Sequence, residues 1–275
     1  MKIRFSEYRP ALALRNPVQT YWTGDFNLYS ENQFVQSVVP NGCVELIIHL
    51  THDHCELVKQ DDWTRSPEFT LIGLQTGTYK VRFNQCVQVF GIRFNPEGLY
   101  TIFGISPAEF TATFESGRDV LGKAFSDYCS RVRECKTIEE RIALTDQYLL
   151  RQMAGASVKF DYLRIAPEII RKYQGLMTMK DLFMQVPISP RQLQREFKRK
   201  YGITAKEYIR LSRLNAIQRY MRSHEINLTD LSYEGEFADQ SHFIREFRLL
   251  VGTNPTTFVK QREAFIVNPG DSRDF

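Results

Sequence analysis

The stretch SPRQLQREFKRKYGIT, residues 189–204, contains the start, body and end of one short helix. Ser189 supplies a side-chain oxygen for free first-turn amides, and Ser189-x-x-Gln192 has the spacing of a capping box. Pro190 follows at the first helical position, where a missing N–H costs nothing. Gly202 sits where the chain must turn out of the helix. Between these marks Leu193, Phe197 and Tyr201 recur every four residues, which predicts one inward face. Arg191, Gln194, Arg195 and Lys198 share the opposite, exposed face.

The same grammar returns further along. Residues 194–208 (QREFKRKYGITAKEY) align with 244–258 (IREFRLLVGTNPTTF), with identities at Arg195/Arg245, Glu196/Glu246, Phe197/Phe247 and Gly202/Gly252. Upstream the copies slip by one residue, so that Leu182 and Ile188 correspond to Leu231 and Phe237. Further cap signals stand at Thr178-x-x-Asp181, Thr204-x-x-Glu207 and Asn227-x-x-Asp230, and Pro255 follows Asn254. Each copy reads as a short capped helix, a tight turn and a second capped helix, which is a helix-turn-helix. In the second copy Phe243 and Phe247 are predicted to face inward. Gln240, Ser241, Ile244, Arg245 and Arg248 are then left outside.

Arginine reaches guanine O6 and N7 with two parallel hydrogen bonds, and glutamine does the same at adenine N6 and N7. Lys198, Arg199, Lys200 and Arg248 suit phosphates, which supply affinity without sequence information. His242, beside Phe243, reads as a packing or phosphate contact. One exposed Arg/Gln face is ordinarily a solvated surface, but two copies with matching caps and arginines point to double-stranded DNA.

Charge placement agrees. The 275-residue chain has 36 Lys plus Arg, 32 Asp plus Glu and a net charge of +4. Residues 167–262 hold 17 basic and 10 acidic residues, a net +7, which leaves −3 for the remainder. Hydrophobic residues make up 43% and charged residues 25%, which excludes a disordered or collagen-like chain. No apolar run approaches the roughly 18 residues of a membrane span, and the first ten residues lack a signal-peptide core. A cytoplasmic protein without membrane contact is expected. Five scattered cysteines without a Cys-x-x-Cys pair predict free thiols rather than a disulfide or zinc framework. No phosphate loop, nucleophile elbow or triad spacing is found, so neither an enzyme nor a cofactor is expected.

The first 110 residues read as strands. Val44–Leu50 is entered through Pro40-Asn41-Gly42, and Phe69–Leu74, Thr78–Phe83 and Val87–Phe94 follow between Gly or Asn turns, a pattern of sandwiches and small barrels. Val120–Arg133 and Ile138–Met153 have helical spacing and predict a hairpin that either supports dimer contacts or covers the barrel. Within the strands Glu45 and Arg93 are charges in apolar surroundings. They pair with each other or contact a polar effector. His52, His54 and Glu56 are the candidate metal ligands, although Thr51–His54 reads more as a polar loop than a strand.

The strings SPRQLQREFKRKYGIT, YIRLSRLNAI and FADQSHFIREFRLLVGTNPTTF resemble the DNA-binding domain of the AraC-type transcriptional regulators. That resemblance covers about 95 residues and implies seven helices, with two helix-turn-helix units joined by a helix near Ala205–Arg222. It places recognition positions on Arg191, Gln194 and Arg195, and on Gln240, Ser241 and Arg245. The sequence departs from the family at Phe183 and Pro187 in the first unit and at Ser232 and Glu236 in the second. Pro187 drives Val186 toward an extended conformation, so a differently shaped turn is expected. PNGCVELIIHL, LIGLQTG and FGIRFNPEGLYTIFG resemble a cupin-like sensor domain, which in such regulators binds small effectors or mediates dimerisation.

The expected architecture is a two-domain α+β chain. Residues 1–154 form a cupin-like barrel with a helical hairpin, 155–165 a linker, 166–265 the all-α double helix-turn-helix and 266–275 a tail. The expected function is transcriptional regulation, activation included, by two recognition helices in successive major grooves. RNA polymerase, a small-molecule effector and a second copy of the chain are the further partners. The competing readings are a metal-dependent cupin enzyme or metal sensor fused to a DNA-binding domain, and a protein-interaction adaptor with a decayed helix-turn-helix.

Overall fold

A computed structural model describes residues 2–27, 34–59, 62–155, 165–223, 240–261 and 264–266. The chain divides into two compact units. One comprises Met1–Gln36, Cys43–Leu74 and Lys80–Lys159, and the other Ser37–Gly42, Gln75–Tyr79 and Phe160–Phe275. The first is strand-rich and the second helical, a two-domain α+β architecture.

Among the described residues ten strands precede the long helices: β1 (Lys2–Tyr8), β2 (Val18–Asn27), β3 (Phe34–Val38), β4 (Val44–His49), β5 (Glu56–Lys59), β6 (Asp62–Arg65), β7 (Phe69–Ile72), β8 (Tyr79–Phe83), β9 (Val87–Phe94) and β10 (Phe114–Ser116). One antiparallel sheet runs β1-β2-β9-β4-β7-β10, and a second carries the order β3-β8-β5-β6. Phe26 of β2 and Phe83 of β8 stack at 4.3 Å and tie the two sheets together. The central strands β4 and β9 are buried along nearly their whole length, which is why both read as continuous apolar runs.

Gly91 lies opposite Trp22 across the β2–β9 pair. A Cβ there would come within 2.0 Å of the indole, so the glycine makes the room that Trp22 occupies.

Among the described residues three α-helices complete this unit: α1 (Gly98–Phe103), α2 (Gly117–Glu134) and α3 (Ile138–Gly155). The α2–α3 hairpin follows the sequence expectation, with a break at Gly122, where φ is 79°. Phe125 of α2 packs edge-on against Phe69 of β7, and Tyr128 stacks on Tyr148 of α3 at 4.0 Å. Asp146 of α3 accepts hydrogen bonds from the Tyr21 hydroxyl at 2.7 Å and the Ala11 amide at 3.0 Å. The hairpin thus covers the sheet, one of the two roles open to it.

The second unit holds α4 (Ile165–Lys172), α5 (Met179–Gln185), α6 (Pro190–Tyr201), α7 (Ala205–Ser223), α8 (Gln240–Val251) and α9 (Pro255–Lys260). A short strand β11 (Phe265–Ile266) runs parallel to Ser37–Val38. Six of the seven helices implied by the family resemblance are therefore present among the described residues. The cap Asn227-x-x-Asp230, the positions Leu231, Ser232, Glu236 and Phe237, the side chain of His242, the linker core 156–164 and the tail from 267 lie outside them. No helix among the described residues is long and apolar enough to cross a membrane. All five cysteines are free.

Candidate nucleic-acid interface

Local chemistry builds the first helix-turn-helix. Thr178 accepts from the Asp181 amide at 3.2 Å while the Asp181 carboxylate accepts from the Thr178 amide at 2.8 Å, a complete capping box at the start of α5. The turn follows from Pro187: Val186 is extended at φ −114°, ψ 125°, and the Ile188 amide donates to the Val186 carbonyl at 2.8 Å. Phe183 is half-buried and Pro187 exposed. Ser189 then accepts from the Gln192 amide at 3.3 Å and opens α6, which Gly202 ends at φ 75°.

The two faces of α6 separate as its spacing predicts. Leu193, Phe197 and Tyr201 are fully buried, and Phe197 meets Tyr201 at 4.6 Å. Arg191, Gln194, Arg195, Lys198 and Arg199 are exposed. Lys200 is the exception: it is only 3% exposed and lies over the Tyr201 ring, so its assignment to phosphate contact is corrected. Lys200 lies three residues after Phe197 and seven after Leu193, and at 3.6 residues per turn these spacings put it on the same inward face. Lys198 reaches forward to the Gly202 carbonyl at 2.5 Å and complements the negative helix end.

The linking helix α7 begins with a second full capping box. The Thr204 amide donates to Glu207 at 2.6 Å, and the Glu207 amide donates to the Thr204 hydroxyl at 3.1 Å. Burial raises the pKa of the Glu207 carboxyl, but these bonds from Thr204 outweigh it and hold the value below the usual range. Arg213 anchors the loop before α5 by donating to the carbonyls of Gly175 (3.0 Å) and Met177 (3.3 Å). Gly175 has φ +73° and no space for a Cβ, which would lie 2.4 Å from the Ile209 carbonyl.

In α8, Phe243 and Phe247 are buried while Gln240, Ser241, Arg245 and Arg248 are exposed, and Ile244 is half-buried. Glu246 pairs with Arg210 of α7, which fixes α8 to the linking helix. Asn254 caps α9 by accepting from the Thr257 amide at 2.7 Å. All eight residues singled out for DNA contact therefore sit exposed on two helices of duplicated pattern.

The strand-rich unit answers differently. Glu45 and Arg93 stand opposite each other across β4 and β9 and pair, with Arg93 Nε donating to Glu45 Oε1 at 2.7 Å. Arg93 Nη1 also donates to Glu7 at 2.9 Å, a partner that its distance in sequence concealed. Burial disfavours the Arg93 charge, yet the two carboxylates outweigh it and hold its pKa above the ordinary value. This is the structural alternative of the two weighed for the pair.

The candidate metal ligands do not converge. Glu56 is taken by Arg82 and Asn84, each at 2.6 Å, while His54 stacks on His49 at 4.4 Å and faces the Ser66 carbonyl at 2.8 Å. His52 is exposed in the polar loop. Among the described residues no group of three His, Cys, Asp or Glu side chains is placed to hold a metal ion.

Sequence reading missed the cluster around His49. Its ring nitrogens face the Glu68 carbonyl at 3.3 Å and the Ser66 hydroxyl at 3.1 Å, and Cys55 Sγ lies 3.7 Å from Nε2. Burial, then His54, Arg133 and Arg65, push the His49 pKa down to about 3. An imidazole inside the apolar run of β4 was the available signal.

Residues 184–261 match the family model of a Helix-turn-helix domain, and residues 6–115 match a Domain of unknown function (DUF6597). The HTH-type transcriptional activator RhaS of Escherichia coli O1:K1 / APEC is 32% identical over 82 residues, 30% of this chain and 30% of RhaS. RhaS of Escherichia coli O139:H28 (strain E24377A / ETEC) is 30% identical over the same length and shares. The chain thus spans 30% of the length of the curated relatives it matches. ToxT from Vibrio cholerae O395, solved with (E)-4-(8-methylnaphthalen-1-yl)but-3-enoic acid, aligns at a TM-score of 0.50 and 11% identity over 87% of this chain and 98% of that one. That likeness is one of fold. Residues 184–261 are thus similar to a helix-turn-helix domain, and a stretch of 82 residues is similar to part of the transcriptional activator RhaS.

Proposed function

We propose that this chain regulates transcription by binding a specific duplex sequence, with α6 and α8 each entering a major groove. The observation that carries the reading is the duplicated helix that buries Phe197 or Phe247 and exposes Arg195 or Arg245 beside Gln and further Arg. Arg191, Gln194, Arg195, Gln240, Ser241 and Arg245 are the base-reading set, and Lys198 and Arg248 the phosphate set. The 19-residue helix α7 is about 28 Å long, a span suited to two grooves about 34 Å apart along one duplex face. Residues 166–265 bind DNA, and residues 1–154 regulate that binding through a small-molecule effector or pairing of two copies. Residues 155–165 link them and 266–275 are a tail. The chain works in the cytoplasm beside RNA polymerase, without catalysis.

Selection of genomic fragments bound by the full-length chain supplies the cognate duplex. On it, Arg195→Ala is expected to cost about 1–3 kcal/mol and to relax preference at one base pair, with a smaller loss on random duplex. Equal loss on both duplexes removes Arg195 from the base-reading set. Absence of any salt-sensitive DNA binding removes the function itself.

A further inference from the structure

The two copies of the repeat carry a glutamate at the same place, Glu196 and Glu246, yet use it differently. Glu246 leaves its own helix to pair with Arg210 of α7. Glu196 stays on the exposed side of α6 and takes both neighbouring arginines. Its Oε1 accepts from Arg195 Nε at 3.0 Å and from Arg195 Nη2 at 3.0 Å. Its Oε2 accepts from Arg199 Nε at 2.8 Å and from Arg199 Nη2 at 2.7 Å. The arginines remain about 70% exposed while the carboxylate is 16% exposed, so it sits beneath them.

We infer that Glu196 is a positioning residue for base reading, orienting Arg195 toward the groove while restraining Arg199 from indiscriminate phosphate contact. The inference rests on the DNA-binding function proposed above. An arginine has two usable edges. The Nε–Nη2 edge of Arg195 is occupied by Glu196, so the outer edge, formed by Nη1 and the second Nη2 hydrogen, is the one presented outward. That edge has the forked geometry that matches guanine O6 and N7. A long side chain held in one orientation loses less rotamer freedom on binding. The negative charge beneath the pair also opposes unselective attraction to the phosphate backbone, since each neutralised phosphate adds to affinity for any sequence. Among the described residues Arg245 is given no matching pair by Glu246, which is turned to Arg210. Base discrimination is therefore carried more sharply by the first unit than by the second.

The test compares the full-length wild type with Glu196→Gln and Glu196→Asp on the selected duplex and on a random duplex, each across a salt series. Glu196→Gln is expected to bind random DNA as tightly as wild type or more tightly. Its ratio of specific to random affinity is expected to fall about tenfold, with a salt slope steeper by about one unit as Arg199 turns to phosphate. Glu196→Asp, which keeps the charge, is expected to recover part of the ratio. Glu246→Gln is expected to weaken both duplexes alike, because it loosens α8 on α7. An unchanged ratio in Glu196→Gln, or an equal loss on both duplexes, overturns the inference while leaving the proposed function standing. A wild-type chain without any sequence preference overturns both.

Discussion

Acid should destabilise the strand-rich unit through one buried imidazole, His49. This side chain is fully buried, accepts from or donates to Ser66 and Glu68, and lies parallel to His54. Its pKa in the folded chain is about 3, against 6.5 for the free group. Between these values the unfolded chain binds the proton and the folded chain does not. The stabilising contribution is thus complete above pH 6.5 and is lost as pH falls from there toward 3. From pH 7 to pH 5.5 the loss is about 1.3 kcal/mol for His49 alone, at about 1.4 kcal/mol per unit once the unfolded group is protonated.

Both tryptophans, Trp22 and Trp63, lie in the strand-rich unit, so intrinsic fluorescence during urea unfolding follows that unit. Wild type and His49→Gln are compared at both pH values, glutamine keeping an uncharged hydrogen-bonding side chain. The wild type is expected to lose about 1.3 kcal/mol more than the variant over this interval. An equal pH response in the two proteins would refute the assignment of a buried neutral histidine.

Other perturbations test other parts of the fold. Arg93→Met should cost about 3–5 kcal/mol in the same fluorescence transition, because it strands the Glu45 and Glu7 carboxylates, and adding Glu45→Gln should restore part of the loss. A cost below about 1 kcal/mol would count against the buried network. Gly91→Ala pushes a methyl into the Trp22 indole and should destabilise by about 1–3 kcal/mol with a shift in tryptophan emission; an unchanged spectrum would contradict the contact. Phe197→Ala should lower the helical transition seen by circular dichroism by about 3–5 kcal/mol while leaving tryptophan fluorescence unaltered. Retained stability would show that α6 is not held by its aromatic face.

Much of the helical unit was legible because its instructions are local. A cap needs an oxygen three residues before an amide, and a helix stop needs a glycine tolerant of positive φ. Thr178, Ser189, Thr204, Asn254, Gly202 and Gly252 satisfy these requirements within one turn of chain. The inward spacing of Leu193, Phe197 and Tyr201 likewise depends only on 3.6 residues per turn. Lys200 marks the limit: its charge suggested solvent, and its place on the cylinder put it inside.

What the sequence determined by itself was therefore the existence, ends and faces of the helices, the strand-rich character of the first half and the exposed Arg and Gln faces of α6 and α8. Tertiary structure decided which charges are available. Arg93 meets Glu45 from the adjacent strand and Glu7 from a more distant one, and Glu56 is claimed by Arg82, because strand register brings together residues far apart in the chain. It also separated the twin glutamates of the repeat, sending Glu246 to Arg210 and leaving Glu196 with Arg195 and Arg199. Periodicity states which way a side chain points, but the partner it finds depends on which element packs there.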